Sequence, residues 1–343
     1  MSAWVVAAWI LVAALAAVVA TTVAGSTGHA AVAVAQDGLP YLLVVAWAVL
    51  VAALVGRSWG LVLAAAVLAG YHLRLLYTRL RRNRAPAWVA QAPRLTLTVA
   101  NVFVDNEQPE TLAAVLLGSA ADVIVIAEWN EAFARAFDRA GGAAAYPHRL
   151  LDPSDRSDYA VSVVARLPLL EGSAMVTSGP LTVAHAVVQV SGRRVTIVGL
   201  NPMAVVDPDG YATWDAQVEE LIAHVGRTPG PLVVAGDLNS TTVRPKLRQL
   251  LALGLDDAHE LLGSGLSRSF KLAADGPAAA VGTVARLDHV LVDHLVRPVT
   301  LTDLASGGSD HVPFVAELAV ATPAASRSGA AGRAGRRGRR ARA

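Results

Sequence analysis

Val233–Ser240 reads VVAGDLNS, a short apolar run that stops at a glycine and then presents Asp237 and Asn239 two residues apart. In an extended strand alternate side chains point to the same face, so these two would project together from the strand's end. Two oxygen-bearing groups so placed can hold a metal, a water or a phosphate. Gly, Asp, Asn and Ser are also the residues of ordinary turns, and the octet alone does not separate the two possibilities. The rest of the chain has to.

Outward from this stretch, strand-like and helix-like segments alternate irregularly. RLTLTVANVF (94–103), DVIVIAEWN (122–130), YAVSVVAR (159–166), VAHAVVQV (183–190), RRVTIVGL (193–200), PLVVAG (231–236), ARLDHVLVD (285–293) and HVPFVAELAV (311–320) carry strand patterning. PETLAAVLLGSA (109–120), EAFARAFDRA (131–140), TWDAQVEELIAHV (213–225) and PKLRQLLALG (245–254) carry helical spacing, with Thr213 placed to cap the third and a glycine ending the fourth. The adjacent strands at 183–200, joined as a hairpin through Ser191-Gly192, break strict strand–helix alternation. The expected fold class is therefore α/β (α+β), with two mostly antiparallel sheets flanked by helices rather than one doubly wound parallel sheet.

Polar residues collect where these strands end. Asn101, Glu128, Asp237 with Asn239, Asp288, and Ser309-Asp310-His311 in GGSDHVP each terminate or begin an apolar run. One such coincidence means little, but a series in order along the chain is difficult to assign to turns. Carboxylates suit a hard cation such as Mg²⁺ or Mn²⁺, which prefers oxygen ligands and retains waters. A histidine beside an aspartate can be held in one tautomer, or as an imidazolium facing an anion. Together these are the groups needed for metal-assisted attack of water on a phosphoester. Asp288 has a blander alternative as an ion-pair partner of Arg286, and His289 and His294 need no more than packing.

The ordered series ANV, VIVIAEW, VVAGDLNS, RLDHVLV and SDHVPFVAEL resembles the endonuclease/exonuclease/phosphatase superfamily, the DNase I-like fold, over residues 94–320. The resemblance implies a four-layered sandwich of two sheets with outer helices, and hydrolysis of phosphodiesters or phosphomonoesters with Mg²⁺ or Mn²⁺ as cofactor. It implies Glu128 as principal metal ligand, with Asn101 beside it and Asp310 near the same site. Asp237 would orient and deprotonate the attacking water, and Asn239 would fix that water or the phosphate. His311 would bind a phosphate oxygen with its ring held by Asp288, and Asn101 also falls among the substrate-binding positions. Tyr159 and Arg166 flank a strand where the family often carries Ser-Arg before proline. One departure stands out. After a strand such as RRVTIVGL the family commonly has a histidine that contacts the scissile phosphate, and here Asn201 occupies that place. Asparagine donates a hydrogen bond but carries no proton, and general acid–base help is often worth roughly 10²–10⁴ in rate. A catalytically impaired binding or scaffold protein is the reading that Asn201 alone supports.

The 343 residues leave room for more than this domain, and cysteine is absent, which excludes disulfides, thiolate metal sites and a cysteine nucleophile. Three apolar segments open the chain, at 3–25, 39–56 and 59–77, free of charge as far as about Leu73 in the third, and the first is long enough as a helix to cross a hydrocarbon core of about 30 Å. RSWG between the second and third reads as a tight helical turn. A cleaved signal peptide is the rival for the first segment, but it lacks a positive leading region and two further apolar segments follow. The expected organisation is a membrane region at 1–84 with about three transmembrane helices, a linker at 85–93, the phosphoesterase-like domain at 94–320 and a disordered Arg-rich tail at 321–343. Arg74 near the end of the third segment, and Arg79, Arg81, Arg82 and Arg84 after it, favour a cytoplasmic catalytic domain in the cell membrane.

The formal charge of +2 conceals an uneven distribution. The tail from Arg327 onward carries seven arginines and no acids, whereas residues 85–326 hold 16 basic and 26 acidic residues. So acidic a domain is poorly suited to gripping nucleic acid by phosphate neutralisation. The expected partners are a phosphoester substrate, small-molecule or lipid, and the bilayer itself. A nuclease of the same superfamily is the alternative within the class.

Overall fold

The structure, a computed structural model, describes residues 2–152, 160–176, 182–274 and 281–322. Tyr159 and nearly all of the Arg-rich tail lie outside the described residues.

Strand parity explains how the domain is layered. In β1 (Arg94–Asn101) and β2 (Val123–Ala127), Leu95, Leu97, Val99, Val123 and Val125 point into one core. Their neighbours Ala100, Ile124 and Ile126 point the other way, onto helices α6 (Pro109–Gly118) and α7 (Glu131–Arg139). Both faces are apolar because both are covered, which is why these strands read as continuous hydrophobic runs. With β3 (His148–Leu150), β4 (Val161–Ala165), β13 (Val296–Asp303) and β14 (Phe314–Val320) they form a six-stranded sheet in the order β13-β14-β1-β2-β4-β3.

The second sheet has the order β5-β6-β7-β8-β12-β9, from β5 (Leu169–Val176), β6 (Thr182–Val190), β7 (Arg193–Leu200), β8 (Leu232–Asp237), β9 (Asp256–Asp257) and β12 (Asp288–Val292). Ile197, Val233, Ala235 and Val290 face the first sheet across the central core. Val198, Val234 and Leu291 face helices α9 (Pro208–Arg227) and α10 (Pro245–Ala252). Each sheet contains one parallel pair, β1 with β2 and β7 with β8, and is otherwise antiparallel. The result is the expected four-layered arrangement of helices, sheet, sheet and helices. A short ribbon, β10 (Phe270–Lys271) with β11 (Thr283–Ala285), lies beside it.

Two local expectations change. The helix predicted from Thr213 starts at Pro208, and its cap is Asp207, whose side chain accepts from the Gly210 amide at 2.7 Å. Asp followed by Pro is the stronger start signal, since proline at the first helical position gives up an amide that would be unsatisfied anyway. Edge strand β13 went unnoticed because Pro298 interrupts it, and an edge is where a sheet tolerates proline.

At the N-terminus, α1 (Ala3–Val23) and α5 (Trp59–Leu80) are long and apolar enough to cross a membrane. The middle segment is less regular than expected. It is built from α2 (Ala30–Asp37), α3 (Leu39–Leu42) and α4 (Val44–Val55), with a 64° bend at Gly38, where Pro40 follows. It supplies a third span only if the bent pair crosses as one unit. Val12, Leu15, Leu43, Val49, Leu61 and Leu68 pack these helices together. Their outer faces carry exposed large apolar residues such as Ile10, Val55, Leu63 and Val67.

The helices also bond to the domain. Thr241 donates to Asp37 from its amide (2.8 Å) and its hydroxyl (2.9 Å), and Arg244 pairs with the same carboxylate. Arg79, in the last turn of α5, lies 3.7 Å from Glu260.

Candidate active site

The parity that builds the core also builds the site. Asn101 continues the inward series Leu95-Leu97-Val99, and Asp237 continues Val233-Ala235. Asp288 begins the inward series completed by Val290 and Val292, and it is directly opposite Asp237 in the β8–β12 register. Polar side chains thus replace apolar ones where the gap between the sheets reaches its end. All three are about 1% exposed. Asn101 Nδ2 joins the two sheets, donating to Asp237 Oδ2 at 3.1 Å and to Glu128 Oε1 at 2.8 Å.

Glu128 departs from strand alternation. Its φ of +60° turns the chain at the end of β2, a conformation that is uncommon outside glycine. The turn carries its carboxylate to Asn101 on one oxygen and to the Val104 amide (2.7 Å) on the other. Burial dominates its electrostatics and pushes the carboxyl up to about 7, despite those two hydrogen bonds.

Gly236 answers why the apolar run stops at glycine. Its φ is +142°, and a Cβ there would lie 2.1 Å from the Leu200 carbonyl oxygen. Beyond it Asp237 Oδ1 accepts from the Asn239 amide at 2.8 Å, so part of the turn chemistry is real. Asn239 itself has φ +47°, and its Nδ2 donates to the Pro202 carbonyl at 2.9 Å. VVAGDLNS is therefore both a strand end and a turn, and the turn aims what the strand delivers.

His311 is held by carboxylates on both nitrogens. Nδ1 is 2.7 Å from Asp288 Oδ2, and Nε2 is 3.5 Å from Asp237 Oδ2. Its amide donates to Ser309 Oγ (3.0 Å), and that hydroxyl donates to the Asn101 carbonyl (2.9 Å). Burial opposes a charge on the ring, but Asp288 and Asp237 outweigh it and raise the imidazole to about 10. Asp237 is raised by burial to about 6, with His311 pulling the other way. Burial also works against ionisation of Asp288, yet His311 holds that carboxyl below its ordinary value. The alternative partner Arg286 bonds Ser267 instead.

Glu128, Asp237, Asn239, Asp310 and His311 line one cleft of about 520 Å³. Asp237, Asp288 and His311 bring a possible ligand atom each to within 4.8 Å of one another. Asp288 Oδ1 and Asp310 Oδ1 are buried with no hydrogen-bond partner among the described residues. Such oxygens suit a hard cation. An imidazolium has no lone pair to offer a metal, so a charged His311 is suited to anions; Asp288 and Asp310 keep an unpartnered oxygen among the described residues, whereas both Glu128 oxygens accept hydrogen bonds. Asn101 lies beside Glu128, as the resemblance implied. Its amide braces two carboxylates, and its Oδ1 already accepts from the Phe103 amide at 2.9 Å. Asn201 is 1% exposed at the end of β7, and its neighbour Pro202 lines the cleft. Arg166 donates to the Ala120 carbonyl at 3.0 Å and lies over the Tyr146 ring, a structural position.

Sequence reasoning passed over two participants. His289 is buried between Asp257 Oδ2 (2.7 Å) and the Ser240 carbonyl (3.0 Å), bracing the loop that follows Asn239. Asp37, from the N-terminal helices, lines the cleft beside Arg244. A lone aspartate between two apolar segments was the available signal for the latter.

Residues 99–311 match the Endonuclease/Exonuclease/phosphatase family, and the chain belongs to it. Solved structures share the fold. A humanized D. rerio TDP2 is 18% identical, with 66% of this chain and 98% of that one covered and a TM-score of 0.52. An endonuclease/exonuclease/phosphatase from Beutenbergia cavernae is also 18% identical, over 67% and 72% of the two chains, with a TM-score of 0.51. The human Nocturnin catalytic domain is 15% identical over 67% and 95%, with a TM-score of 0.52. No curated protein matches the chain in sequence.

Proposed function

We propose that the protein is a membrane-anchored, divalent-metal-dependent phosphoesterase acting on a lipid or other amphiphilic phosphoester. The observation that carries the reading is the convergence of Glu128, Asp237, Asn239, Asp310 and His311 on one cleft. Asp237, still ionised near neutral pH, accepts the proton of the attacking water. His311, charged and fixed by Asp288, binds a phosphoryl oxygen and stabilises the charge that builds there. Asn239 keeps a second amide hydrogen for the same oxygens. Glu128 and Asp310 would hold Mg²⁺ or Mn²⁺, which when bound supplies Lewis-acid polarisation of the phosphoester.

The cleft walls support an amphiphilic substrate. Val34 and Gly38 of the bent helix pair form part of the lining, as do the apolar Phe103, Val206 and Leu272. The acidic domain disfavours DNA. The arginines at the end of α5 and just beyond it support a cytoplasmic catalytic domain, although Arg79 is committed to Glu260 and counts for less.

The test is turnover by the full chain in lipid nanodiscs with Mg²⁺ or Mn²⁺, against phospholipids, phosphoinositides, generic phosphoesters and DNA. Lipid phosphoester hydrolysis that is lost on chelation and lost in Glu128→Gln is expected. Activity that survives Glu128→Gln would remove the assigned metal ligand.

A further inference from the structure

Arg244 is 1% exposed, yet it lines the catalytic cleft just before α10. Its guanidinium lies 4.2 Å from the centre of the Trp214 ring, and Nη2 pairs with Asp37. Nε and Nη1 are buried without a hydrogen-bond partner among the described residues. Buried donors left unpaired are costly, and the Nε–H and Nη1–H groups lie on either side of the Nη2 that Asp37 holds, each free to reach a phosphate oxygen. Arg286 also has unpartnered nitrogens, but the cavity beside it, about 20 Å³, holds about one water and not a phosphate. Among the described residues lining the cleft, Arg244 and His311 are the cationic ones, facing Asp37, Glu128, Asp237 and Asp310.

We infer that Arg244 is a substrate-binding residue of this cleft, offering an unpaired guanidinium N–H to a phosphoryl oxygen, and that Asp37 of the N-terminal helices is its positioning residue. The inference rests on the phosphoesterase reading for what the bound anion is. Asp37 is suited to the role because it also fixes Thr241, two residues beyond Asn239. The anion site is then completed by the bent helix pair, so the domain and its anchor form one binding unit. Arg244 supplies a fixed positive charge in a cleft where the position after β7 holds the uncharged Asn201.

The experiment uses the full chain in phosphatidylcholine nanodiscs with Mg²⁺, titrated with inorganic phosphate and, in a second arm, with phosphatidic acid in the disc. Binding is read by calorimetry and thermal protection, and KM and kcat are measured on a generic phosphomonoester. Arg244→Met is expected to weaken phosphate binding by about tenfold or more and to raise KM more than it lowers kcat. Asp37→Asn should do the same to a smaller extent, with Asp37→Glu restoring part of the loss. Whichever arm loses binding identifies the source of the anion, free or in a lipid headgroup. Phosphate affinity in Arg244→Met equal to that of the native chain overturns the inference. If that variant does not fold, Arg244→Lys decides by the same titration, since unchanged affinity and KM there also overturn it. Turnover in the native chain with binding indifferent to Arg244 sinks this inference alone. Arg244-dependent binding without any turnover sinks the hydrolase reading and leaves the anion site standing.

Discussion

Asp288 and His311 are joined by a 2.7 Å contact between Oδ2 and Nδ1, both side chains almost wholly buried. The two bias each other's charge in opposite directions, the imidazole upward to about 10 and the carboxyl downward. His311 gains its partner in the folded state, so its contribution to stability is full below its ordinary value near 6.5 and is lost as pH rises through about 10. The depressed Asp288 contributes above its ordinary value near 3.8 and ceases to as pH falls below it. The pair therefore holds across the neutral range.

Asp288→Asn removes the charge that keeps His311 protonated. The alkaline limb of the kcat/KM profile should move to lower pH, and turnover at pH 8 should fall by roughly 10²-fold, comparable to the loss of one stabilising donor. A pH–rate profile checks this, with the His311 imidazole titration followed by NMR. An unshifted alkaline limb would show that another group holds the ring.

Glu128 offers a test in the metal-free protein. Its carboxyl is raised from 4.5 to about 7 by burial, so ionising it opposes folding, and stability declines as pH rises from about 4.5 through 7. Glu128→Gln removes that penalty. In chelator at pH 8 it should be more stable than the native chain by about 2–3 kcal/mol, with little difference at pH 5. Added Mg²⁺ should stabilise the native chain and not the variant. Denaturation of the two proteins at both pH values, with and without metal, measures all of this.

The legible part of the site is the part that follows period-two geometry. Asn101, Asp237 and Asp288 each extend an inward-facing apolar series, so their convergence follows once two sheets are drawn face to face. Glu128 was legible as a strand-end carboxylate, but its left-handed turn was not, because nothing in IAEWN marks φ +60°. Asp37 with Arg244 could not be read at all. They are 207 positions apart, and their pairing depends on how the bent helix pair lies against the domain. His289 looked like packing because alternation places it opposite Asp288's face, while its two polar partners come from separate loops.

Gly236→Ala tests the opening of the catalytic turn. The φ of +142° is essentially restricted to glycine, and the added methyl would meet the Leu200 carbonyl at 2.1 Å. The neighbour is backbone within a six-stranded sheet and has little room to yield. Destabilisation of about 3 kcal/mol or more is expected from thermal denaturation, with reduced turnover at temperatures where the variant is still folded. Native-like stability and activity would mean that the strand end relaxes more easily than its packing implies.

Val206 and Leu272 test the amphiphilic substrate. They line the cleft yet are 83% and 60% exposed, so the fold asks little of either side chain. Replacing both with serine should therefore leave the melting temperature within a degree or two. If substrate chains shelter these residues, the loss is partial apolar burial of two side chains, about 1–2 kcal/mol in total, or roughly tenfold in KM for a phospholipid. A water-soluble phosphomonoester has no chain to place there, and its KM and kcat should be unchanged. The ratio of the two KM values in native and doubly substituted protein isolates the effect from any change in the chemistry. Equal losses on both substrates would instead place the rim's influence on the catalytic groups, and the case for a lipid would lose its support.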